Sequence, residues 1–279
     1  MKKLLITGSS GFLGSRIVTF YKKSYHLLTP SHSDMDITDN ISVLSYFNQY
    51  KPDIVIHCAA ISDTGTCEKN PDLSFQVNLI GSENIAKICT LYGIKCILCS
   101  SDQVYCSSDY DNSNPESDNV NPYNVYGKHK LAAEQSCLVH NPESVHLRLA
   151  WMYDSNIDMS IARNDFAKQL LRSIRDKSDL ALPVNDKRGI ADVWEVVKNM
   201  EDTFHLPGGV YNFGSPNQKS TYETAISVLA SLSCDTSHLT KKIYDKARNL
   251  SMCQEKLNSF GIYFSSTEEA LIKCLKKYV

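Results

Sequence analysis

Tyr126 and Lys130 stand one helical turn apart in Tyr126-Gly127-Lys128-His129-Lys130, within a stretch from Tyr123 to His140 that reads as a helix. At that spacing the phenol and the ammonium share one face. A phenol with its ordinary pKa near ~10 is a poor acid–base catalyst at neutral pH, and a neighbouring ammonium lowers that value by favouring phenolate. The pair can then give a proton to the alkoxide formed when hydride adds to a ketone. Ser100-Ser101 close the apolar run before this helix, and doubly wound sheets keep their ligands at the carboxyl ends of their strands. Ser101, Tyr126 and Lys130 are the candidate catalytic set.

A second set lies at the start of the chain. Thr7-Gly8-Ser9-Ser10-Gly11-Phe12-Leu13-Gly14 spaces glycines three apart between an apolar run and a helical pattern. Glycine permits the tight turn and lets a pyrophosphate reach backbone N–H groups at a helix N-terminus. Gly8, Ser10, Gly11, Phe12 and Leu13 are therefore candidate cofactor contacts. In NAD-binding units a carboxylate usually follows the second strand and grips the ribose diol. Here Thr29-Pro30-Ser31-His32-Ser33 has no acid before Asp34. A 2′-phosphate would meet no repulsion there, and Ser31 and His32 can donate to it, which favours NADP(H) over NAD(H).

These residues need a scaffold, and the pattern around them supplies one. Lys3 to Thr7, His26 to Thr29, Ile54 to Cys58, Cys96 to Ser100 and Val145 to Leu149 read as strands. Phe12 to Tyr21, Ile41 to Tyr50, Leu73 to Tyr92 and Tyr123 to His140 read as the helices between them. Leu13, Ile17 and Phe20 form the apolar face of the first helix. Such alternation implies an α/β fold with a Rossmann-type doubly wound parallel sheet. The expected division is an NAD(P)-binding domain at 1–150 and a mainly substrate-binding region at 151–279, packed on the sheet's carboxyl edge. Helices are expected near Asp165 to Arg175, Val193 to Phe204 and Tyr222 to Leu232, with a strand at Gly209 to Asn212.

Composition excludes several classes. Of 279 residues 42% are apolar and 22% charged, an ordinary globular balance rather than a disordered one. The net charge of −2, without a basic block, argues against nucleic acid. The ten cysteines are scattered and read as reduced thiols. No apolar run approaches the ~18 residues a membrane span needs, and Leu4 to Ile6 is too short for a signal h-region. A cytoplasmic address is expected. Cys96 and Cys99 lie three apart in a strand and point to opposite faces, so they receive no joint role. His57 reads as a structural histidine. The eight histidines show no ligand spacing, and no metal site is expected.

Taken together, Thr7 to Gly14, Asp36-Ile37-Thr38-Asp39, Cys58-Ala59-Ala60, Ser100 to Tyr105 and Tyr126 to Lys130 resemble the extended short-chain dehydrogenase/reductases, and within them the dTDP-4-dehydrorhamnose reductase family. Lys51-Pro52-Asp53, Cys67 to Pro71, Val77-Asn78, Arg148 with Trp151, Asn164 to Lys168 and Arg248 to Ser251 carry the likeness through nearly the whole chain. The resemblance implies that Ser101 bonds the substrate carbonyl, Tyr126 donates the proton, and Lys130 holds the nicotinamide ribose. It places Asp36 and Ile37 beside the adenine and Cys58, Ala59 and Ala60 beside the ribose and nicotinamide. Asp102, Gln103, Trp151, Asn164, Phe166 and Arg188 fall on the substrate side, Arg188 as a guanidinium fork for a diphosphate.

Thr64-Gly65-Thr66, Gln103 and Ala191-Asp192 depart from that family's usual residues, which bears on the sugar more than on the reaction. The expected activity is NAD(P)H-dependent reduction of a 4-keto nucleotide sugar in deoxysugar and cell-surface polysaccharide synthesis. Two alternatives stay open: a sugar-nucleotide epimerase or dehydratase with bound NAD, and a non-catalytic NADP-binding regulatory subunit. The partner expected is the small nucleotide-sugar substrate, with a homodimer as an option.

Overall fold

A computed structural model describes residues 1–108, 111–117, 119–160 and 164–279. Strand β1 (Lys3–Thr7) buries Leu4, Leu5 and Ile6 completely, as a strand covered on both faces of a parallel sheet must. The alternation continues through α1 (Phe12–Tyr21), β2 (His26–Leu28), α2 (Asn40–Tyr50) and β3 (Ile54–His57). After β3 come α3 (Thr64–Lys69) and α4 (Pro71–Phe75), then a π-helical turn at Gln76–Ile80 and α5 (Gly81–Tyr92). β4 (Lys95–Ser101), a 3-10 turn at Asp102–Tyr105, α6 (Val125–His140) and β5 (Val145–Leu149) complete the first half.

The second half has shorter pieces. They are β6 (Trp151–Tyr153), α7 (Phe166–Asp176), β7 (Leu180–Pro183), β8 (Asp186–Arg188), β9 (Ile190–Asp192), α8 (Val193–Met200) and a 3-10 turn at Glu201–His205. β10 (Gly209–Phe213), α9 (Thr221–Ser231), β11 (Leu239–Lys242), β12 (Arg248–Leu250), α10 (Glu255–Asn258) and α11 (Thr267–Leu275) follow.

The main sheet has six strands in the order β2-β1-β3-β4-β5-β10. β1 pairs in parallel with β2 on one side and β3 on the other, while β4 joins β3 to β5. The order therefore reverses between β1 and β3, and the crevice beyond their carboxyl ends is the switch point where doubly wound sheets bind ligands. The strand expected at 209–212 is present but serves as an edge of this sheet, a placement that local pattern could not show.

Two compact units result, and neither is cut cleanly at residue 150. The first holds Met1–Val104, Asn121–Leu149 and Val197–Tyr211; the second holds Tyr105–Val120, Ala150–Val196 and Asn212–Val279. Hydrogen bonds explain both exchanges. In the first unit the Tyr21 hydroxyl donates to the Val197 carbonyl at 2.8 Å and Lys95 Nζ donates to the Leu206 carbonyl at 2.6 Å. In the second, Asn114 Nδ2 donates to the carbonyls of Asn249 and Ser251 at 2.9 and 2.8 Å, holding Asn114 there.

Each unit has its own core. Leu5, Val43, Phe47, Val55, Ile85 and Leu98 pack between the sheet and its helices in the first, while Phe166, Leu170, Leu182, Val228, Leu239 and Leu271 pack in the second. On α1 the buried residues are Leu13, Ile17 and Tyr21. Phe20, expected inside, is 45% exposed, because the Tyr21 ring turns inward to reach Val197.

Candidate active site

The glycine turn between β1 and α1 fits a pyrophosphate. Gly8 sits at φ +64, and a Cβ there would stand 2.7 Å from the Ala59 nitrogen; a Cβ on Gly14 would stand 2.2 Å from the Gly8 carbonyl oxygen. Only glycine allows this closeness. Gly11 is the N-cap of α1 with no side-chain capping bond and no acid in the first turn, so the positive end of the helix suits an anion. Ser10 and Gly11 are exposed at this turn, Phe12 is half-buried, and Leu13 turns into the core.

Helix α6 carries two of the three candidate catalytic residues, Tyr126 and Lys130. Tyr126, Lys130 and Glu134, each four residues from the next, form one buried face. Arg148 Nη2 donates to Glu134 Oε2 at 2.7 Å and Arg148 Nε donates to Oε1 at 3.1 Å, while the Ser100 hydroxyl donates to Oε1. Ser100 and Arg148 are register partners on β4 and β5, so this buried pair pins α6 to two strands at once. Asn124 caps the helix by accepting from the Gly127 N–H at 2.6 Å, and its amide donates to Gln103 Oε1 at 3.1 Å.

Ser101 ends β4 close to the Tyr126 phenol. Burial pushes the phenol's pKa well above its ordinary value, and Ser101 only partly opposes this. The sequence predicted the reverse, a phenol lowered by Lys130. Burial outweighs any lowering by Lys130. It also lowers the pKa of Lys130 itself, and Cys99, Glu134 and Cys58 work against that. In the chain itself Tyr126 is held as the protonated acid.

Cys58, Ala59 and Ala60, all half-buried, follow β3 against the glycine turn. The Ala59 N–H donates to Thr7 Oγ1 at 3.2 Å. His57, buried, lies 2.8 Å from Thr7 Oγ1 through Nδ1 and 3.1 Å from Ser82 Oγ through Nε2. The Ser82 hydroxyl already donates to the Asn78 carbonyl at 2.8 Å, so Nε2 carries the proton and Nδ1 accepts from Thr7. Burial, with Lys130 nearby, lowers the His57 pKa to about 3. Asn78 in the π-helical turn accepts the Ile61 N–H at 2.9 Å and donates to the Ile61 carbonyl at 3.0 Å, clamping the segment after Ala60. π turns recur at functional sites. Thr7, Asn124 and Glu134 were not singled out from sequence; the first is the strand-end hydroxyl before a glycine turn, the others an N-cap and a continued four-residue spacing.

The loop after β2 alters the cofactor argument. Asp34 folds back, accepting from the Ser31 N–H at 2.9 Å and the Ser31 hydroxyl at 2.6 Å. Those hydrogen bonds lower its pKa, and the loop carries a carboxylate after all. His32 Nδ1 lies 3.8 Å from Asp36 Oδ1, and Asp36 accepts from Thr38. Ile37 is buried, its Cδ1 2.7 Å from where a Gly81 Cβ would be.

On the substrate side, Asp102 and Gln103 are buried, with the Ser101 hydroxyl donating to Asp102 Oδ1 at 3.2 Å. The other candidates lie in the second unit. Arg188 stands over the half-buried Trp151 indole, 4.9 Å from its centroid. Asn164 is exposed and accepts from Arg172 at 3.2 Å. Phe166 is fully buried, its ring 5.8 Å from that of Trp151; a ring with no exposed surface packs under the indole rather than against a ligand. No group of metal-ligating side chains occurs among the described residues.

A switch-point crevice, a glycine turn at its lip and a Ser101–Tyr126–Lys130 cluster at the next strand end are the marks of an extended short-chain dehydrogenase/reductase. The chain belongs to the RmlD substrate binding domain family, whose model matches residues 1–277. It is 29% identical over 244 residues to spore coat polysaccharide biosynthesis protein SpsK of Bacillus subtilis, covering 86% of this chain and 83% of that protein. Identity to methionine adenosyltransferase 2 subunit beta of Xenopus laevis is 27% over 256 residues, covering 85% and 74%. Identity to dTDP-4-dehydrorhamnose reductase of Mycolicibacterium smegmatis is 33% over 153 residues, covering 54% and 46%. The crystal structure of dTDP-4-dehydrorhamnose reductase from Bacillus anthracis in complex with NADP superimposes with a TM-score of 0.86, covering 99% of both chains at 24% identity.

Proposed function

We propose that this protein is an NAD(P)H-dependent oxidoreductase that reduces a 4-keto nucleotide sugar, as a dTDP-4-dehydrorhamnose reductase does, in the synthesis of a deoxysugar for a cell-surface polysaccharide. The observation that carries the reading is Tyr126, buried and protonated, beside Ser101 at the end of β4. When bound, the reduced nicotinamide supplies the hydride. The Ser101 hydroxyl orients the sugar ketone, and Tyr126 gives its proton to the oxygen on which negative charge develops. The buried Lys130 ammonium steadies that charge and holds the nicotinamide ribose. Gly8, Ser10 and Gly11 would receive the pyrophosphate, Asp36 and Ile37 would border the adenine, and Cys58, Ala59 and Ala60 would line the nicotinamide side. Trp151 and Arg188 present a flat ring and a guanidinium fork suited to a nucleotide diphosphate.

NADPH is the proposed reductant, through the exposed His32 and Ser33. The Asp34 carboxylate opposes a 2′-phosphate, so the expected preference is small, and titration of both reduced cofactors measures it. Incubation with NADPH and a panel of 4-keto nucleotide sugars, following the absorbance of the reduced cofactor, tests the main reading: oxidation with one member supports it. The likeness to a methionine adenosyltransferase subunit along most of the chain favours a second reading, a regulatory subunit that binds NADP without turnover. Cofactor binding with no oxidation on any member would favour that one.

A further inference from the structure

Cys58 and Cys99 lie 41 residues apart in sequence, and their sulfurs are 3.5 Å apart. The register His57↔Leu98 makes them the next neighbours along the parallel strands β3 and β4. Neighbouring strands run about 4.8 Å apart, inside the Cα separation of about 4.4–6.8 Å that a disulfide spans. Both residues are half-buried, whereas Cys67, Cys89, Cys96, Cys106 and Cys137 of the first half are closed in the core. The thiol proton shared from Cys58 and the Lys130 ammonium hold the Cys99 pKa below its ordinary value, and the same hydrogen bond raises that of Cys58. This divides the labour of an oxidisable dithiol: a thiolate that attacks and a thiol that resolves. Cys58 also walls the glycine turn, its carbonyl carbon 2.9 Å from where a Gly8 Cβ would be.

We propose that Cys58 and Cys99 form a modification site, a dithiol that a hydroperoxide converts to a disulfide between β3 and β4, and that the disulfide weakens cofactor binding. The Cys99 thiolate attacks one peroxide oxygen, the O–O bond breaks, and the other oxygen leaves as an alcohol or water once protonated. Cys58 sulfur then attacks the sulfenic sulfur of Cys99, the S–O bond breaks, and water departs with the Cys58 proton. Two thiols lose two electrons and the peroxide gains them. A small dithiol reverses the change. The effect on the cofactor rests on the reading above, but the disulfide does not.

The test treats the reduced protein with equimolar hydrogen peroxide, then measures intact mass, linked peptides and NADPH affinity. The expected result is a loss of 2 Da, a peptide joining Cys58 to Cys99, and at least about tenfold weaker NADPH binding that dithiothreitol restores. Cys99→Ala should show no such mass loss and should keep its NADPH affinity after peroxide. Linkage of Cys89 to Cys96 instead, no mass loss in the parent protein, or a loss that survives in Cys99→Ala overturns the proposal. A Cys58–Cys99 disulfide that leaves NADPH affinity unchanged overturns its second half. Failure of the reduced protein to bind NADPH sinks the cofactor reading alone, and the mass arm still decides the dithiol.

Discussion

At the scale of the residue, Tyr126 concentrates the proposed chemistry in one oxygen. Tyr126→Phe removes it and keeps the ring, so the buried face of α6 and NADPH binding should persist. General acid catalysis contributes about 10²–10⁴-fold, and the single-turnover rate should fall by that factor; a rate equal to the parent's would end the assignment. Two buried histidines carry a different prediction. His57 and His146 are each held near about 3, by burial and by Lys130, from an ordinary 6.5. Both fold as neutral rings. Their folded pKa values lie below the unfolded ones, so the unfolded chain binds more protons between those values, and stability present above pH 6.5 is lost as the pH falls toward 3. Two protons give a slope of up to about 2.7 kcal/mol per pH unit. Urea unfolding at pH 7, 6 and 5 would measure it, and His146→Gln should roughly halve the decline.

At the scale of the element, α6 depends on its first turn. Asn124 caps the helix that carries Tyr126 two residues later and ties it to Gln103. Asn124→Ala should cost about 1 kcal/mol of stability and lower turnover with it, since the phenol's position relaxes. Asn124→Asp keeps the acceptor for Gly127 and should recover most of the stability in a thermal melt. The same region shows what the sequence could and could not reveal. The helix was legible, but its start was placed at Tyr123, because an aromatic residue extends an apolar pattern whereas the capping Asn124 ends it. β1, α1 and β5 were readable from apolar runs and the glycine turn. β8, with the sequence Asp186-Lys187-Arg188, has no strand-like pattern, and it forms through register with β12, 62 residues away at Asp186↔Arg248. Of the candidate set, Tyr126 and Lys130 were proposed from their four-residue spacing and Ser101 from its place at the end of an apolar run, and the structure puts them on one buried helix face and at the end of β4. The full burial of Phe166 was not legible because burial is a property of the packed unit, and the hold of Asp34 on Ser31 was not because a loop's folding back leaves no periodic trace.

At the scale of the whole molecule, the first unit takes Val197–Tyr211 from far along the chain. A chain ending at residue 150 would expose β5 where β10 belongs and leave the Tyr21 hydroxyl and Lys95 without their carbonyl partners. An open strand edge is a template for aggregation. The 1–150 fragment should therefore melt without a cooperative transition or aggregate, and a sharp two-state thermal unfolding of that fragment would contradict this account.

The late position of β10 also bears on synthesis. β5 is complete at Leu149 and β10 begins at Gly209, about 60 residues later. At a ribosomal rate of about 5–20 residues per second, the growing chain carries an unpaired edge for roughly 3–12 s. The segment made in that interval includes every element from β6 to α8. Nascent-chain folding should accordingly be a matter of timing, with the sheet closing only after much of the second unit has left the ribosome, and with chaperone contact concentrated in that gap.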